Sequence, residues 1–335
     1  MIAVIATILV FVGCCSNVIF LELIVSEFPG SGNLFTFAQF LLISVEGFIF
    51  TTQFGTKAPV IPIKNYFVLV FFFFTTSIVN NYALNFHIPL PLHMIFRSGS
   101  LVANMALGII LLQKKYEVHK YISVFMITIG IFICTLMSAQ SVGEKHASDS
   151  ESGHQTTSYD ILMWIIGLCM LTFALFMSAR MGIYQEVLYA KFGKHPREAL
   201  FYSHALPLIG FTLLGKDIYN QALLFSTSEP MTIPMLEASV PKMWIYMAGS
   251  VITQYVCIRG VFILTTECPS LIVTLIVTLR KFFSLVFSIL YFRNPFTVYH
   301  WLGTAFVFTG IFLFTGVFHK MRDFLVPPSK TKKVE

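Results

Sequence analysis

The stretch PSLIVTLIVTLRKFFSLVFSILYF, residues 269–292, carries two adjacent cations in the middle of an otherwise apolar run. At 1.5 Å per residue, a helix of this length spans roughly 36 Å, which exceeds the roughly 30 Å hydrocarbon core of a bilayer. Arg280 and Lys281 are therefore predicted to lie near the membrane midplane. A cation at a helix centre costs roughly 3 kcal/mol, so this pair and Arg97, in another apolar segment, need polar surroundings. A water-filled cavity for anions would supply them; the alternative is a structural pair that snorkels or bonds helix carbonyls.

The rest of the chain has the composition of a membrane protein. Of its 335 residues, 56% are hydrophobic and 11% are charged, whereas soluble domains carry about 25% charged residues. The six cysteines lie in or beside apolar segments and are interpreted as packing residues rather than a disulfide framework. Hydropathy predicts an all-α polytopic membrane protein with ten transmembrane helices, at about residues 2–25, 33–53, 66–86, 90–112, 121–139, 159–179, 199–215, 243–264, 269–292 and 299–318.

The basic residues are distributed unevenly between the two sides of the membrane. An even number of spans puts both termini on one side, and fifteen of the 22 lysines and arginines fall on that side, against four on the other. Because positively charged loops remain in the cytosol, both termini are predicted to be cytosolic. Arg259, near the cytosolic end of the eighth span, is counted with that side, and Arg97, Arg280 and Lys281 remain deep inside the spans.

An internal repeat divides the chain into halves. Residues 113–132 and 293–312 match at an offset of 180 residues, and the polar stretch 140–158 separates five spans from five. Because each half has an odd number of spans, the two repeats must be inverted, and the substrate site of such transporters lies at the midplane between them. The predicted organisation is a first five-helix repeat at 1–139, a flexible polar linker on the non-cytosolic side at 140–158, a second repeat at 159–320, and a cytosolic tail at 321–335.

The three cations favour an anionic ligand such as a diphosphate. Arginine presents a planar fork to phosphate oxygens and lysine a compact charge. Adjacent helical residues point about 100° apart, so we expect Lys281 to face the cavity and Arg280 to orient it or bond a neighbouring helix. Glu22 and Glu46 are the main acidic candidates to pair with one of the cations.

Two further groups of polar residues are candidates for substrate recognition. The side-chain amides of Asn80 and Asn81 can bind hydroxyls and base edges, or can join helices by hydrogen bonds worth roughly 0.6 kcal/mol each. The aromatic stretch Phe201–His204 offers faces on which a nucleobase can stack, although an interfacial aromatic belt has the same composition. The predicted polar pocket comprises Asn80, Asn81, Tyr82, Thr278, Glu46 and Glu22, and the predicted base-binding group comprises Phe201, Tyr202, Ser203 and His204.

Two motifs carry a resemblance to a known family. The stretch Val277–Thr278–Leu279–Arg280–Lys281 resembles the GALNK-type motif of nucleotide-sugar transporters (solute carrier family 35, B-type) in the drug/metabolite transporter superfamily, and Phe201–His204 resembles their FYNN motif. The resemblance covers essentially the whole chain. It implies ten helices, import of UDP-sugars such as UDP-N-acetylglucosamine and UDP-xylose into the Golgi or endoplasmic reticulum lumen, and export of UMP by alternating access.

The resemblance also implies roles for particular residues. Lys281 is expected to contact the substrate phosphates with Arg280 and Arg97, and Tyr202, Ser203 and His204 are expected to read the base. Ser203 and His204 replace the two asparagines that the family associates with guanine, and Arg280 replaces the asparagine before the motif lysine. These departures argue against GDP-mannose as the substrate.

The chain ends in an address signal. Lys332 and Lys333 stand four and three residues from the carboxyl end, the pattern of a dilysine retrieval signal that coat proteins read in a cytosolic tail. The small residues Gly303, Gly310 and Gly316 allow close helix packing, within the chain or in a homodimer. We favour packing within the chain.

Other functions are less compatible with the residue pattern. A membrane-embedded sugar or lipid transferase needs a general base or a metal-binding carboxylate cluster, and no DxD or HExxH motif is present. His146, Asp149, Glu151 and His154 lack a zinc-ligand spacing, so no metal or cofactor is expected. Nucleic acid is not an expected partner, because the basic residues follow the membrane topology. A carrier for another organic phosphate or a nucleotide sulfate remains the alternative.

Overall fold

The computed structural model describes residues 2–86, 88–149, 155–233, 238–268, 270–293 and 296–316. These residues form α-helices, two short 3₁₀ turns (Pro29–Ser31 and Phe211–Leu214) and one antiparallel hairpin, β1 (Pro230–Ile233) with β2 (Ala238–Pro241). The α-helices are α1 (Ile2–Glu27), α2 (Gly32–Phe50), α3 (Ile63–Ala83), α4 (Leu90–Arg97), α5 (Ser100–Leu112), α6 (Val118–Asp149), α7 (Gln155–Phe192), α8 (Pro196–Ala205), α9 (Pro207–Gly210), α10 (Gly215–Ser226), α11 (Lys242–Glu267), α12 (Ser270–Phe292) and α13 (Val298–Thr315). The signal lysines Lys332 and Lys333 lie outside the described residues.

The predicted all-α polytopic membrane architecture is confirmed. Within the described residues, nine segments are long and apolar enough to cross a bilayer, and each coincides with a predicted span. The fourth of them, residues 90–112, consists of α4 and α5 joined at Ser98 and Gly99. The amides of Ser98 and Gly99 bond the carbonyls three residues earlier, so the helix tightens into a 3₁₀ turn directly after Arg97.

The seventh predicted span is broken into short pieces. It runs through α8, α9, the Phe211–Leu214 turn and α10, and ends at Ser226 rather than near residue 215. Pro207 explains the first break, because proline lacks an N–H and its ring clashes with the carbonyl four residues earlier. The helical pieces therefore do not form one apolar span, and the single span predicted at 199–215 is not found as such within the described residues.

The predicted linker at 140–158 is shorter than expected. α6 continues to Asp149 and α7 begins at Gln155, so helical structure replaces much of the flexible stretch. Polar residues such as glutamate, lysine and glutamine are good helix formers, and hydropathy alone reads their polarity as a loop. The side chains of His146 and Asp149, and all of Glu151 and His154, lie outside the described part of the structure.

The helices pack in pairs that relate the two halves. The most extensive pairs are α1 with α11, α6 with α13, and α3 with α7. If a two-fold axis relates two repeats of five spans, it exchanges the first span, α1, with the sixth, α7. It likewise exchanges the third span, α3, with the eighth, α11. It therefore converts the α1–α11 pair into the α7–α3 pair, and it maps α6–α13 onto itself. This pairing is the one expected for two inverted repeats.

Glycines bring α6 and α13 into close contact. A Cβ at Gly310 would lie 2.7 Å from Ile127 Cγ1, and one at Gly303 would lie 2.6 Å from Cys134 Sγ. These two glycines therefore pack within the chain, as favoured from the sequence, and α6 covers the face that a dimer would otherwise use. Gly316 has a different role, because it ends α13 in the left-handed conformation with φ of 67°.

A disulfide corrects the interpretation of the cysteines. Cys14 on α1 is bonded to Cys257 on α11, with their Cα atoms 4.9 Å apart. The two helices approach closely at this level, since a Cβ added to Gly13 would lie 2.7 Å from the Cys257 nitrogen. The expectation that these cysteines serve only as packing residues is therefore wrong for this pair, which is 243 residues apart in sequence.

The hairpin after α10 is anchored at the start of α11. Lys242 Nζ lies 2.9 Å from Glu229 Oε2 and 3.1 Å from Glu27 Oε2, at the end of α1. The hydrogen bond and the charge of Lys242 lower the pKa of the exposed Glu229 carboxyl. These contacts tie the hairpin to one end of the α1–α11 pair.

Candidate functional site

The three intramembrane cations are neighbours in space. Arg97 lies at the end of α4, where the fourth span is broken, and Arg280 and Lys281 lie near the middle of α12, which contacts α4. Arg97 interacts electrostatically with both Arg280 and Lys281. In the described part of the chain, no carboxylate forms an ion pair with any of the three. The result is a concentration of uncompensated positive charge.

Lys281 is exposed although it lies on the inward face of α12. The outward face of α12 presents Phe283, Phe287 and Leu290, which are 51%, 42% and 68% exposed. Lys281 lies on the opposite face, four residues before Leu285, which is only 1% exposed. The Lys281 side chain is nevertheless exposed, as is that of Arg97. Since this face of α12 is turned into the protein, the exposure of Lys281 indicates an internal space that water can enter.

Arg280 is oriented towards a neighbouring helix. Its Nη1 atom lies 3.6 Å from Cys257 Sγ on α11, and its buried Nε has no hydrogen-bond partner among the described residues. Thr278, one turn before Lys281, is 6% exposed. The two adjacent cations thus have different surroundings. Arg280 faces the α1–α11 pair, and Lys281 faces the internal space.

His93 is a polar residue of this site that the sequence reasoning missed. It lies one turn before Arg97 on α4, is 5% exposed, and its Nε2 atom has no hydrogen-bond partner in the part of the chain that the structure describes. The ring lies against the backbone of Asn80 on α3 and interacts electrostatically with Arg97. The sequence could have revealed His93 through its spacing from Arg97, because residues four apart lie on one face of a helix. His93 and Arg97 therefore share one face of α4, with the backbone of Asn80 on α3 beside the His93 ring.

Asn81 joins helices rather than standing free. Its Nδ2 atom donates to Thr36 Oγ1 at 2.8 Å and to Asn33 Oδ1 at 3.3 Å, both on α2. Asn33 in turn donates to Asp217 Oδ2 on α10 at 2.8 Å. The network therefore connects α3, α2 and α10. The neighbouring Tyr82 is partly exposed and ends α3 on the same side.

The two acidic candidates have partners other than the three cations. Glu46 on α2 forms an ion pair with Arg259 on α11, with Oε1 and Nη1 3.3 Å apart. Glu22 on α1 accepts a hydrogen bond from the Ser288 hydroxyl on α12. Glu46 is therefore engaged by Arg259, and Glu22 by Ser288.

The stretch Phe201–His204 lies on α8 and divides between two environments. His204 is 8% exposed, its ring packs against Phe40 and Phe73, and its Nδ1 atom lies 2.8 Å from the Leu200 carbonyl oxygen. Ser203 Oγ donates to the same carbonyl at 3.1 Å. This half of the stretch is therefore engaged in local packing and hydrogen bonds.

The aromatic half of the stretch is more accessible. The Tyr202 ring stacks on Tyr66 of α3, with centroids 4.8 Å apart and an interplanar angle of 23°. Phe201 packs against Gly47 of α2, where a Cβ would lie 2.6 Å from its ring. Both rings are partly exposed. The aromatic stretch packs with α2 and α3, whereas the cations of α12 lie among α1, α4, α11 and α13.

Comparison with known proteins places the chain in a family. The sequence model of the UAA transporter family matches residues 2–317. A zebrafish protein named UDP-xylose and UDP-N-acetylglucosamine transporter is 62% identical over 312 residues, which cover 93% of each chain. A human protein named nucleotide sugar transporter SLC35B4 is 58% identical over 325 residues, 97% of each chain. A Drosophila melanogaster protein named endoplasmic reticulum GDP-fucose transporter is 53% identical over 327 residues, which cover 96% of this chain and 92% of its own. The resemblance found in the motifs is thus confirmed, and this chain belongs to the UAA transporter family.

Proposed function

We propose that this protein imports UDP-sugars, UDP-N-acetylglucosamine and UDP-xylose, into the lumen of the Golgi or endoplasmic reticulum in exchange for UMP. The observation that carries the proposal is the group of three cations, Arg97, Arg280 and Lys281, which have no carboxylate ion-pair partner among the described residues, while Arg97 and Lys281 are exposed. Three unpaired charges at the centre of a span are costly unless an anion or water offsets them. A pyrophosphate group carries the charge that matches them.

The phosphates bind, in this proposal, to Lys281 and Arg97, which are exposed to the space. Arg280 contributes positive charge from behind, because its guanidinium is turned towards α11. His93 and Asn80 lie on the same side as Arg97 and read polar groups of the sugar. Thr278 supports the Lys281 face of α12.

The base is held by the aromatic part of α8. Tyr202 and Phe201 offer partly exposed rings, and base stacking contributes roughly 1–3 kcal/mol. Ser203 and His204 shape this wall through their bonds to the Leu200 carbonyl. The amide network of Asn81 and the Glu46–Arg259 ion pair position the helices around the ligand. Glu22 likewise positions α12 through Ser288.

Alternating access arises from movement of one repeat against the other. The fourth and seventh spans are both broken, and transporters of this architecture commonly use discontinuous helices at the substrate site. The ion pair between α2 and α11 and the amide network between α2, α3 and α10 are polar contacts that such a movement can exchange.

A second candidate substrate class comes from the relatives. A protein 53% identical to this chain is named a GDP-fucose transporter, whereas other relatives are named for UDP-sugars. Ser203 and His204 replace the two asparagines that the family associates with guanine, so we place UDP-sugars first.

The proposed location follows from the tail and the charge distribution. Both termini are cytosolic, the polar segment between α6 and α7 is luminal, and coat proteins bind Lys332 and Lys333 to retrieve the protein to the endoplasmic reticulum. The excess of lysine and arginine on the side of the termini supports this orientation. The protein is a carrier and not an enzyme in this proposal, and a homodimer is compatible with it.

The test is exchange by purified protein in liposomes. Vesicles loaded with UMP are incubated with labelled UDP-N-acetylglucosamine, UDP-xylose, GDP-fucose or a CMP-sugar, and uptake is compared with that of empty and UDP-glucuronate-loaded vesicles. We expect UMP-dependent uptake of the first two substrates. If only GDP-fucose is taken up, the substrate is assigned to the GDP-sugars instead. If no nucleotide sugar is exchanged, the proposal is refuted.

A further inference from the structure

A cavity opens at the membrane end where the loop between α2 and α3 meets the start of α8. Its volume is about 310 Å³, which is within the usual range of roughly 300–1,000 Å³ for ligand pockets. One wall consists of residues 50–52 and 57–60, and the other of residues 194–198, with Tyr202 and Phe262 between them. The cavity is lined by none of Arg97, Arg280 and Lys281, and it shares Tyr202 with the proposed base-binding group.

Three cations line this cavity without a carboxylate partner. Lys57, Lys194 and Arg197 are all exposed, and none forms an ion pair within the described ranges. The Arg197 guanidinium lies 4.8 Å from the centroid of the Phe262 ring, which holds it at the wall without neutralising it. The positive charge of the cavity is therefore available to an anion.

The single carboxylate among the lining residues is already engaged. Glu198 Oε2 accepts a hydrogen bond from the Val60 amide at 2.9 Å. Its Oε1 atom accepts bonds from the Ile61 amide and the Tyr66 hydroxyl, each at 2.9 Å. Glu198 thus fastens the loop to α8 and α3 and holds Val60, one of the lining residues, against α8. The cavity is pre-formed and carries net positive charge.

Aromatic rings complete the cavity. Phe50 is 71% exposed, and Tyr202 and Phe262 stand beside it in the lining. A smaller cavity adjoins it, shares Phe50, Arg197 and Phe262, and extends inward to Phe201. Cations beside aromatic faces suit a molecule that joins phosphates to a ring, since phosphates bind the charges and the ring stacks.

We propose that this cavity is a second phosphate-binding site, which captures a nucleotide diphosphate at the membrane surface before it reaches the interior. The identity of the ligand as a nucleotide rests on the proposed transport function. A phosphoinositide headgroup presents the same phosphate chemistry at the same surface, so the experiment must separate a soluble nucleotide from a lipid.

The test compares the double variant Lys57→Gln/Lys194→Gln with the wild type in phosphatidylcholine liposomes. The variant removes two charges that would lie at about 8 Å from the phosphates. In a water-like dielectric, losing them should raise the KM for UDP-N-acetylglucosamine about fivefold, with kcat unchanged. At 0.5 M salt the difference should fall below about twofold, because the Debye length is then only about 4 Å. The matched control is Lys64→Gln/Lys115→Gln, which removes two exposed lysines outside the cavity and should leave KM unchanged.

Lipid composition identifies the source of the phosphate. If the Lys57→Gln/Lys194→Gln variant differs from wild type only in liposomes that contain phosphatidylinositol 4-phosphate, the site stands and its ligand is a lipid headgroup. Equal KM values for variant and wild type at low salt in both lipid compositions would overturn the proposal.

A separate binding measurement tests the cavity even if the protein does not transport nucleotide sugars. If the wild type exchanges no nucleotide sugar, the proposed function fails, and the cavity is then tested with inorganic pyrophosphate alone. Pyrophosphate should raise the Tm of the wild type and of Lys281→Gln, and the rise in the Lys281→Gln background should disappear when Lys57→Gln/Lys194→Gln is added. Persistence of the rise in that combined variant would exclude the cavity as a phosphate site.

Discussion

Replacing Lys281 by glutamine should separate substrate binding from folding. Lys281 makes no ion pair in the described structure and lies near two like charges, Arg97 and Arg280. Its removal relieves repulsion, so the ligand-free protein should have an unchanged or higher Tm. A hydrogen bond to a charged phosphate contributes roughly 1.5–3 kcal/mol. The loss in kcat/KM for UDP-N-acetylglucosamine should therefore be roughly 10- to 150-fold.

Two measurements on the same preparations check this prediction. UMP-driven uptake into liposomes gives kcat/KM, and thermal unfolding with and without UDP-N-acetylglucosamine gives the ligand-induced rise in Tm, which should be smaller in Lys281→Gln than in the wild type. Lys281→Arg retains the charge and should retain part of the activity, whereas Lys64→Gln removes an exposed lysine at the start of α3 and should behave as wild type. Near-normal exchange by Lys281→Gln, or a large fall in its ligand-free Tm, would refute the reasoning.

Three further changes test the fold. Gly310→Ala places a methyl group against α6 and should destabilise the protein by about 1–3 kcal/mol in thermal unfolding, whereas Gly215→Ala, with no atom within 4 Å of the added Cβ, should be nearly neutral; equal effects would contradict the packing. Tyr66→Phe removes a hydroxyl that donates to a carboxylate while keeping the ring, so its expected loss is about 1.5–3 kcal/mol, and an unchanged Tm would argue against that bond. After proteolysis between α6 and α7, the two fragments should migrate together without reductant and separate in Cys14→Ala; separation of the unreduced wild-type fragments would rule out the bond to Cys257.

The number and positions of the spans could be predicted from the sequence because hydropathy is a local sum over about 20 residues. Nine predicted spans recur as apolar segments within one helix or, in the fourth span, two consecutive helices. The seventh is not found as a single span, and its interruption at Pro207 was not foreseen, since the apolar composition continues across the break. The helical extensions to Asp149 and from Gln155 were missed for the opposite reason, as polar residues outside the bilayer form helices equally well.

Parts of the candidate site were visible in the sequence and parts were not. The pair Arg280–Lys281 and the lone Arg97 stood out because cations are rare in apolar segments. His93 was overlooked although it shares a helix face with Arg97, since a single neutral histidine changes hydropathy little. The partners of Asn81 and Glu46 required the structure, because Thr36 and Arg259 are 45 and 213 positions away from them.

By itself the sequence determined the all-helical membrane architecture, the family and the presence of uncompensated charge inside the spans. These properties depend on composition and on short motifs, which are read along the chain. The tertiary structure alone decided that Cys14 meets Cys257, that Arg280 and Lys281 have different surroundings, and that a basic cavity forms beside Tyr202. Such outcomes depend on which helices pack together, and packing joins residues whose separation along the chain carries no local signal.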